Sequence, residues 1–130
     1  MFELALKYGG GPVLLKDIAH KHEFSEKYLS KLVIPLRGAG LIQSARGAHG
    51  GYVLGKAPAD INLREVVDCL EGGLGVIDCA DNPALCPRST DCSSRDVWAG
   101  LEKVMRDYCE SMTLAQMAKD KTQNSYADNI

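Results

Sequence analysis

A helix-turn-helix pattern followed at once by a glycine-rich hairpin most constrains the fold of this chain. Apolar residues at helical spacing predict a short helix over residues 15–22, and a tight turn separates it from a second helix. Ser25 is the type of residue that caps the N-terminus of such a helix. Residues 41–45 and 52–54 predict two short strands joined by the glycine-rich tip 46–51. The sequence therefore predicts a mainly α fold with a small β wing: a winged helix-turn-helix.

The rest of the chain is predicted to be helical, apart from one loop. Residues 2–8 form a first helix that ends at a Gly-Gly-Gly-Pro run, and residues 63–71 form another. Residues 72–94 hold several glycines, prolines and cysteines, and few large apolar side chains, so they predict an irregular loop. A long helix is predicted over residues 95–111 and a shorter one over residues 114–120.

Four parts follow from these elements. We predict a winged helix over residues 1–58, a connecting helix and cysteine loop over 59–94, a dimerisation helix with a short following helix over 95–121, and a polar tail over 122–130. Residues 124–130 are expected to be disordered. The first helix begins without a cap, like the second half of a longer helix. Pro35 is expected to kink or loosen the helix after Ser25, because proline lacks a backbone donor.

Charge is distributed unevenly along the chain. Residues 1–56 carry eight Lys and Arg against four Asp and Glu, a net charge of +4. Residues 57–130 carry seven against thirteen, a net charge of −6. A basic front and an acidic rear are typical of a chain whose front faces a polyanion, although ordinary surface scatter gives the same count.

The candidate DNA-reading residues lie at the start of the second helix and at the hairpin tip. Recognition helices place their N-terminal residues against base edges in the major groove. These residues are here Ser25, Lys27, Tyr28 and Lys31, whose side chains suit phosphate oxygens and guanine acceptors. Arg46, on the thin tip, suits a narrow minor groove. The sequence thus predicts double-stranded DNA as partner.

The long helix carries a heptad-like apolar seam. Its members recur at spacings of three and four residues: Trp98, Leu101, Met105, Tyr108 and Met112. Such a seam packs either on a second copy of the helix or on its own domain. We favour a homodimer.

Five cysteines in a chain without a secretion signal favour metal or redox chemistry over disulfides. Three of them, Cys79, Cys86 and Cys92, lie in the loop with gaps of six and five residues. Structural zinc usually takes cysteines two to four residues apart, whereas these wider gaps suit a loop wrapped around a larger group such as an iron–sulfur cluster. Three reduced, unliganded cysteines are the alternative. Cys69 and Cys109 lie on apolar helices and are expected to be core thiols.

At this point a family resemblance becomes specific. The segments SEKYLSKL, LRGAGLI and SARGAHGGYVLG, the last at residues 44–55, resemble the IscR/NsrR (Rrf-type) family of homodimeric bacterial winged-helix regulators. The resemblance extends to about Lys121. It implies that Tyr28 and Lys31 read DNA, that Arg46 enters the minor groove, and that operators are palindromic. It also implies that the three loop cysteines hold a redox- or nitric-oxide-responsive iron–sulfur cluster, of 2Fe–2S or 4Fe–4S type, that modulates operator binding.

The chain departs from this family at the fourth cluster ligand. The cluster-assembly regulator has a histidine three residues after the last cysteine, where this chain has Arg95. The nitric-oxide sensor uses an acidic residue from an N-terminal segment of about a dozen residues that has no counterpart before Met1 here. The candidates are Asp78, Asp81, Asp91, an N-terminal residue or a small exogenous group.

Two rival functions remain at this stage. One keeps DNA binding but senses through thiol oxidation or zinc, and the other is a protein-interaction adaptor that uses the winged helix without DNA. An enzyme is not expected, since no paired carboxylates are predicted to share a pocket with a base, no phosphate-binding glycine loop precedes a helix, and no nucleophile elbow is recognisable. No apolar stretch is long enough to span a membrane, so we expect a cytoplasmic protein.

Overall fold

The computed structural model describes residues 1–47 and 49–127 as a helical fold with one small antiparallel sheet. The helices are α1 (Phe2–Leu6), α2 (Leu15–His22), α3 (Glu26–Gly38), α4 (Leu63–Glu71), α5 (Asp78–Asp81), α6 (Ser93–Ser111) and α7 (Leu114–Ala127). The strands are β1 (Ile42–Ser44) and β2 (Tyr52–Leu54), and short 3₁₀ turns occupy Pro58–Asp60 and Pro83–Leu85. The predicted fold class is therefore confirmed.

The two strands form a hairpin that follows the helix-turn-helix along the chain. Ile42 pairs with Leu54 and Ser44 with Tyr52. Tyr52 also exchanges two backbone hydrogen bonds of 2.9 Å with Val13, from the segment between α1 and α2. This isolated bridge ties the base of the wing to the front of the domain.

The core lies mainly within the winged helix and extends to the segment before α4, to α4 itself and to the start of α7. Ile61 and Leu114 are the most deeply buried large side chains of the described residues. The Leu63 N–H donates to Met112 and the Leu114 N–H donates to Ile61, at 2.8 and 3.0 Å. The junction between α6 and α7 is thus bonded directly to the start of α4, while α7 packs on α1. The core cluster comprises Leu4, Ala5, Val13, Val33, Leu36, Leu41, Ile42, Leu54, Ile61, Val66 and Leu114.

Several predicted boundaries change. The first helix ends at Leu6 rather than residue 8, and the first strand is shorter at both ends than predicted. The long helix begins at Ser93, two residues earlier than expected. Helix α3 runs through Pro35 to Gly38, so the proline does not end it. None of the helices in the described ranges is long and apolar enough to cross a membrane.

Two expectations were wrong. The loop over residues 72–94 is not wholly irregular, because it contains α5 and a 3₁₀ turn that Asn82 caps by accepting the Ala84 N–H at 3.2 Å. The tail was expected to be disordered from residue 124, yet α7 continues to Ala127. The segment Leu114–Ala127 contains neither glycine nor proline, so nothing in it stops the helix that starts on the core. Residues 128–130 lie outside the described part.

Candidate nucleic-acid interface and cysteine loop

Helix α3 presents a polar outer face at its N-terminal end. Ser25 is its N-cap, and the Ser25 hydroxyl accepts the Tyr28 N–H at 3.3 Å, as predicted. Lys27, Tyr28 and Lys31 are all exposed, and the two lysines lie one turn apart. Val33 and Leu36 on the opposite side are buried in the core. The helix is therefore anchored by one face and free to enter a groove with the other.

The same exposed face continues to Ile34, a residue that the sequence did not single out. Ile34 is 72% exposed, more than any other large exposed hydrophobic residue of the described chain. Spacings of four and three residues place Lys27, Lys31 and Ile34 along one side of α3. Ser30 lies beside them, and its hydroxyl donates to the Glu26 carbonyl at 2.9 Å. The 27–31–34 spacing is the signal that could have found Ile34.

The last turn of α2 is held by a carboxylate from α1. Glu3 accepts hydrogen bonds from Lys21 Nζ and His22 Nε2, each at 2.8 Å. Burial raises the pKa of Glu3, but these two bonds outweigh burial and leave its pKa below the ordinary value. Glu23 closes α2 with φ of 56°, a left-handed conformation that glycine adopts more readily. The end of α2, which leads into α3, is thus fixed to α1 by a side-chain contact.

The wing requires glycine at its base. A Cβ on Gly55 would lie 2.0 Å from the Gly40 carbonyl oxygen. A Cβ on Gly51, whose φ is 101°, would lie 2.9 Å from the Val13 carbonyl oxygen. Arg46 is exposed beyond the paired strands, and Ala48 of the tip lies outside the described residues. Because α3 packs on β1, the exposed face of α3 and the hairpin leading to Arg46 belong to the same packed domain.

The three loop cysteines occupy different local structures. Cys79 lies in α5, Cys86 closes the Pro83–Leu85 turn, and Cys92 is the N-cap of α6. All three thiols are free and half-buried. Within the residues that the structure describes, no three His, Cys, Asp or Glu side chains converge as a metal site. The loop therefore supplies three thiols without gathering them around a common point.

Cys92 has the most polar surroundings of the three. Its sulfur lies 3.0 Å from the Ser94 hydroxyl. This contact and the Arg95 N–H at the start of α6 hold the pKa of the Cys92 thiol below its ordinary value. Arg95, a permanently charged donor that cannot act as a ligand, instead donates through Nε to the Cys79 carbonyl at 3.0 Å. Cys69 and Cys109 pack at or against the core, as expected of structural thiols.

Helix α6 has three distinct faces. One packs against the rest of the chain and bears the buried Glu102 and Cys109 and the half-buried Arg95, and another is polar and exposed around Lys103 and Asp107. The third is an exposed apolar face, comprising Val97, Trp98, Leu101, Val104 and Tyr108. Of the predicted seam, Trp98, Leu101 and Tyr108 belong to this face, while Met105 and Met112 are half-buried. Exposed apolar patches of this kind mark interaction sites.

Comparison with known proteins identifies the family. Residues 1–120 match the family model Rrf2, described as an iron-dependent transcriptional regulator. The HTH-type transcriptional regulator CymR of Bacillus subtilis is 38% identical over 128 residues, which cover 97% of this chain and 88% of that protein. These relatives are regulators rather than enzymes.

Solved structures agree with the sequence match. The structure of B. subtilis CymR, described as the global cysteine regulator, aligns with a TM-score of 0.75 over 91% of this chain and 86% of that one. That of T. potens IscR aligns with a TM-score of 0.75 at 38% identity, covering 92% of this chain and 78% of that one. Staphylococcus aureus CymR in an oxidised form aligns with a TM-score of 0.72 at 35% identity, covering 90% and 85%.

Proposed function

The chain belongs to the Rrf2 family of transcriptional regulators, and we propose that it binds a palindromic operator in double-stranded DNA as a cytoplasmic homodimer. The observation that carries the proposal is the exposed face of α3, where Lys27, Tyr28 and Lys31 lie on a helix whose other side is locked into the core. A helix held in this way can enter the major groove without unfolding.

Each reading residue has a role in this proposal. Lys27 and Lys31 bind phosphates or guanine acceptors, and the Tyr28 hydroxyl binds phosphate. The Ser25 hydroxyl still has its proton to donate to a phosphate oxygen, because its oxygen accepts the Tyr28 N–H. Arg46 enters the adjacent minor groove from the wing.

A second copy of the chain covers the exposed apolar face of α6. Two-fold pairing of this face gives an isologous interface, in which both copies bury the same side chains. The pairing places two winged helices on one duplex, which explains why a palindromic operator suits a dimer.

Binding to duplexes selected from a random library tests the reading residues. Lys31→Ala and Arg46→Ala should each cost about 1–3 kcal/mol of binding free energy and reduce the salt dependence, measured by fluorescence anisotropy. Lys103→Ala removes an exposed lysine from the polar face of α6 and serves as the control. Wild-type affinity in both Lys31→Ala and Arg46→Ala would reject the assignment.

For the sensing element, we propose that Cys79, Cys86 and Cys92 hold an iron–sulfur cluster of 2Fe–2S or 4Fe–4S type. The donor set fits in kind, because thiolates are the usual cluster ligands and all three lie half-buried on one loop. Such clusters usually have four ligands, so the fourth comes from outside these three cysteines. The loop must also rearrange to gather the thiols, since they do not converge. When bound, such a cluster supplies iron that exchanges electrons and reacts with nitric oxide.

Anaerobic purification tests the cluster. We expect brown protein with iron and acid-labile sulfide, which Cys86→Ser loses. The control Cys69→Ser alters a half-buried thiol that packs against the core in α4 and should keep the colour. Colourless protein with stoichiometric zinc would contradict the proposal.

A thiol switch without a cluster is a second candidate, favoured by the position of Cys92. Cys92 stands at the N-cap position of α6 with its sulfur 3.0 Å from the Ser94 hydroxyl, and helix N-termini stabilise thiolates. A relative of this chain, S. aureus CymR, has been solved in an oxidised form. In the switch, the Cys92 thiolate takes an oxygen atom from hydrogen peroxide, giving sulfenic acid and hydroxide. Trapping of the sulfenic acid at Cys92 in metal-free protein, with altered DNA affinity, would favour this candidate.

A further inference from the structure

Glu102 is a buried carboxylate in the middle of α6 that neither DNA binding nor dimer formation uses. Only 3% of its surface is exposed. Glutamate is almost never buried to this extent unless its charge is compensated. The residue therefore has a structural partner strong enough to offset the cost of desolvation.

That partner is the backbone at the start of the cysteine loop. Glu102 Oε1 accepts the Val76 N–H at 2.6 Å and the Ile77 N–H at 3.0 Å. These two bonds lower the pKa of Glu102 below its ordinary value, so the carboxylate stays charged and its bonds are charge-assisted. One atom of α6 thus fixes two consecutive residues of the loop.

A second contact from α6 holds the next part of the same segment. Arg95, two turns before Glu102, donates through Nε to the Cys79 carbonyl at 3.0 Å. The segment from Val76 to Cys79 is therefore held from both ends by side chains of one helix. Cys92 is the N-cap of α6, so the positions of Cys79 and Cys92 are both set by this helix.

We infer that Glu102 is a positioning residue that fixes Cys79 against α6 through the backbone of Val76 and Ile77. The inference rests on the proposed function for the sensing role of the loop, but the contact between Glu102 and the loop backbone forms without DNA. The buried face of α6 adjoins its exposed apolar face. A displacement of Cys79 therefore acts, through Glu102 and Arg95, on the same helix that forms the proposed dimer contact.

Alkylation of individual cysteines in the metal-free, reduced full chain tests this inference. Glu102→Leu leaves the Val76 and Ile77 donors unpaired and should speed modification of Cys79 by N-ethylmaleimide on the order of tenfold. Glu102→Gln keeps an oxygen acceptor at the same place and should restore a rate near that of wild type. Asp107→Leu removes an exposed carboxylate from the polar face of α6 and should change nothing.

The rates at Cys69 and Cys109 separate positioning from general loosening. Selective acceleration at Cys79, with rescue by Glu102→Gln, supports the inference. Equal acceleration at all cysteines, no acceleration at Cys79, or failure of rescue would each overturn it. Because no DNA is present, this result is distinguishable from a failure of the proposed function.

Ile34 carries a second, independent inference. An isoleucine that is 72% exposed on the same face as Lys27 and Lys31 has no packing role in the described chain. The apolar group that the major groove offers is the C5-methyl of thymine. We propose, on the basis of the proposed function, that Ile34 reads one thymine methyl in each half-site.

Deoxyuridine, which is thymine without that methyl, tests this reading. One thymine per half-site, replaced by deoxyuridine, should weaken wild-type binding about fourfold for each half-site. Ile34→Ala should bind the two duplexes equally. If deoxyuridine weakens both proteins alike, or weakens neither at any position, Ile34 does not read a methyl. Absence of any selected duplex would instead reject the proposed function itself.

Discussion

The winged helix and the cysteine loop of this protein are held in place by different interactions. The winged helix rests on a continuous apolar core, a backbone bridge from Val13 to Tyr52, and glycines at contacts too close for a side chain. The loop has few apolar contacts and is held at its start by Glu102 and Arg95 of α6. A surface supported by a core keeps a fixed shape, which suits the proposed DNA-binding face. A segment held by a few polar bonds can change conformation at a modest cost in free energy.

The largest effect should come from breaking the winged helix at Gly55. Gly55→Ala sets a methyl group 2.0 Å from the Gly40 carbonyl oxygen and forces the backbone apart. We expect a loss of about 3 kcal/mol or more in the free energy of unfolding, measured by urea denaturation. Gly38→Ala, which meets nothing within 4 Å, is the matched control and should not destabilise. Similar stability of the two variants would show that the wing base tolerates movement.

The second effect concerns α6, which joins the two regions. Val104→Glu adds a charge to the exposed apolar face and should weaken the dimer on the order of 100-fold or more, measured by analytical ultracentrifugation. Lys103→Glu changes the neighbouring residue on the polar face and should leave the dimer intact. A dimer that survives Val104→Glu would place the contact elsewhere.

A smaller effect is expected from the Glu3 carboxylate, which ties α1 to the last turn of α2. Glu3→Gln should lower the free energy of unfolding by about 1 kcal/mol at neutral pH, because the charged bonds to Lys21 and His22 are lost. The pKa of Glu3 is lowered in the folded state, so its stabilisation is present above the ordinary value of 4.5 and disappears as pH falls through the lowered pKa.

Urea denaturation across this acid range checks the prediction. The stability of wild type and Glu3→Gln should differ above pH 4.5 and converge progressively as pH falls from 4.5 through the lowered pKa. Glu71→Gln, on an exposed side chain of α4, should stay within about 0.5 kcal/mol of wild type at neutral pH. A constant gap at all pH values would mean that the charge of Glu3 is not what stabilises the turn.

The smallest effect is expected at Glu23, between α2 and α3. Its φ of 56° is strained for any residue with a Cβ, so Glu23→Gly should raise the free energy of unfolding by up to about 1 kcal/mol. Thermal unfolding measures the change. A lower melting temperature would indicate that the Glu23 side chain contributes more than its strain costs.

The sequence predicted the winged helix better than the loop for a physical reason. The bounds of α2 and β2 follow from local apolar spacing, and so do those of α4 just after the winged helix. The loop depends on Glu102 and Arg95, which lie some 16 to 26 residues away from the atoms they hold. In the sequence, Glu102 stands next to Lys103 like any solvated charge.

For the exposed face of α3 and for the loop thiols, local spacing likewise predicts some features and misses others. Lys27, Tyr28 and Lys31 could be selected from helical spacing and are exposed together, while Ile34 was missed because an apolar residue in a helix is usually core. Cys79, Cys86 and Cys92 could be selected from their spacing, but spacing says nothing about whether their sulfur atoms meet.

The symmetry of the DNA that the chain selects tests the central proposal most directly. Selection of duplexes from a random library by the wild-type protein should enrich an inverted repeat, with half-site centres about one helical turn apart or a multiple of it. Both half-sites should lose their enrichment with Lys31→Ala. Enrichment of no sequence, or of a motif without two-fold symmetry, would contradict a homodimer that reads DNA with two winged helices.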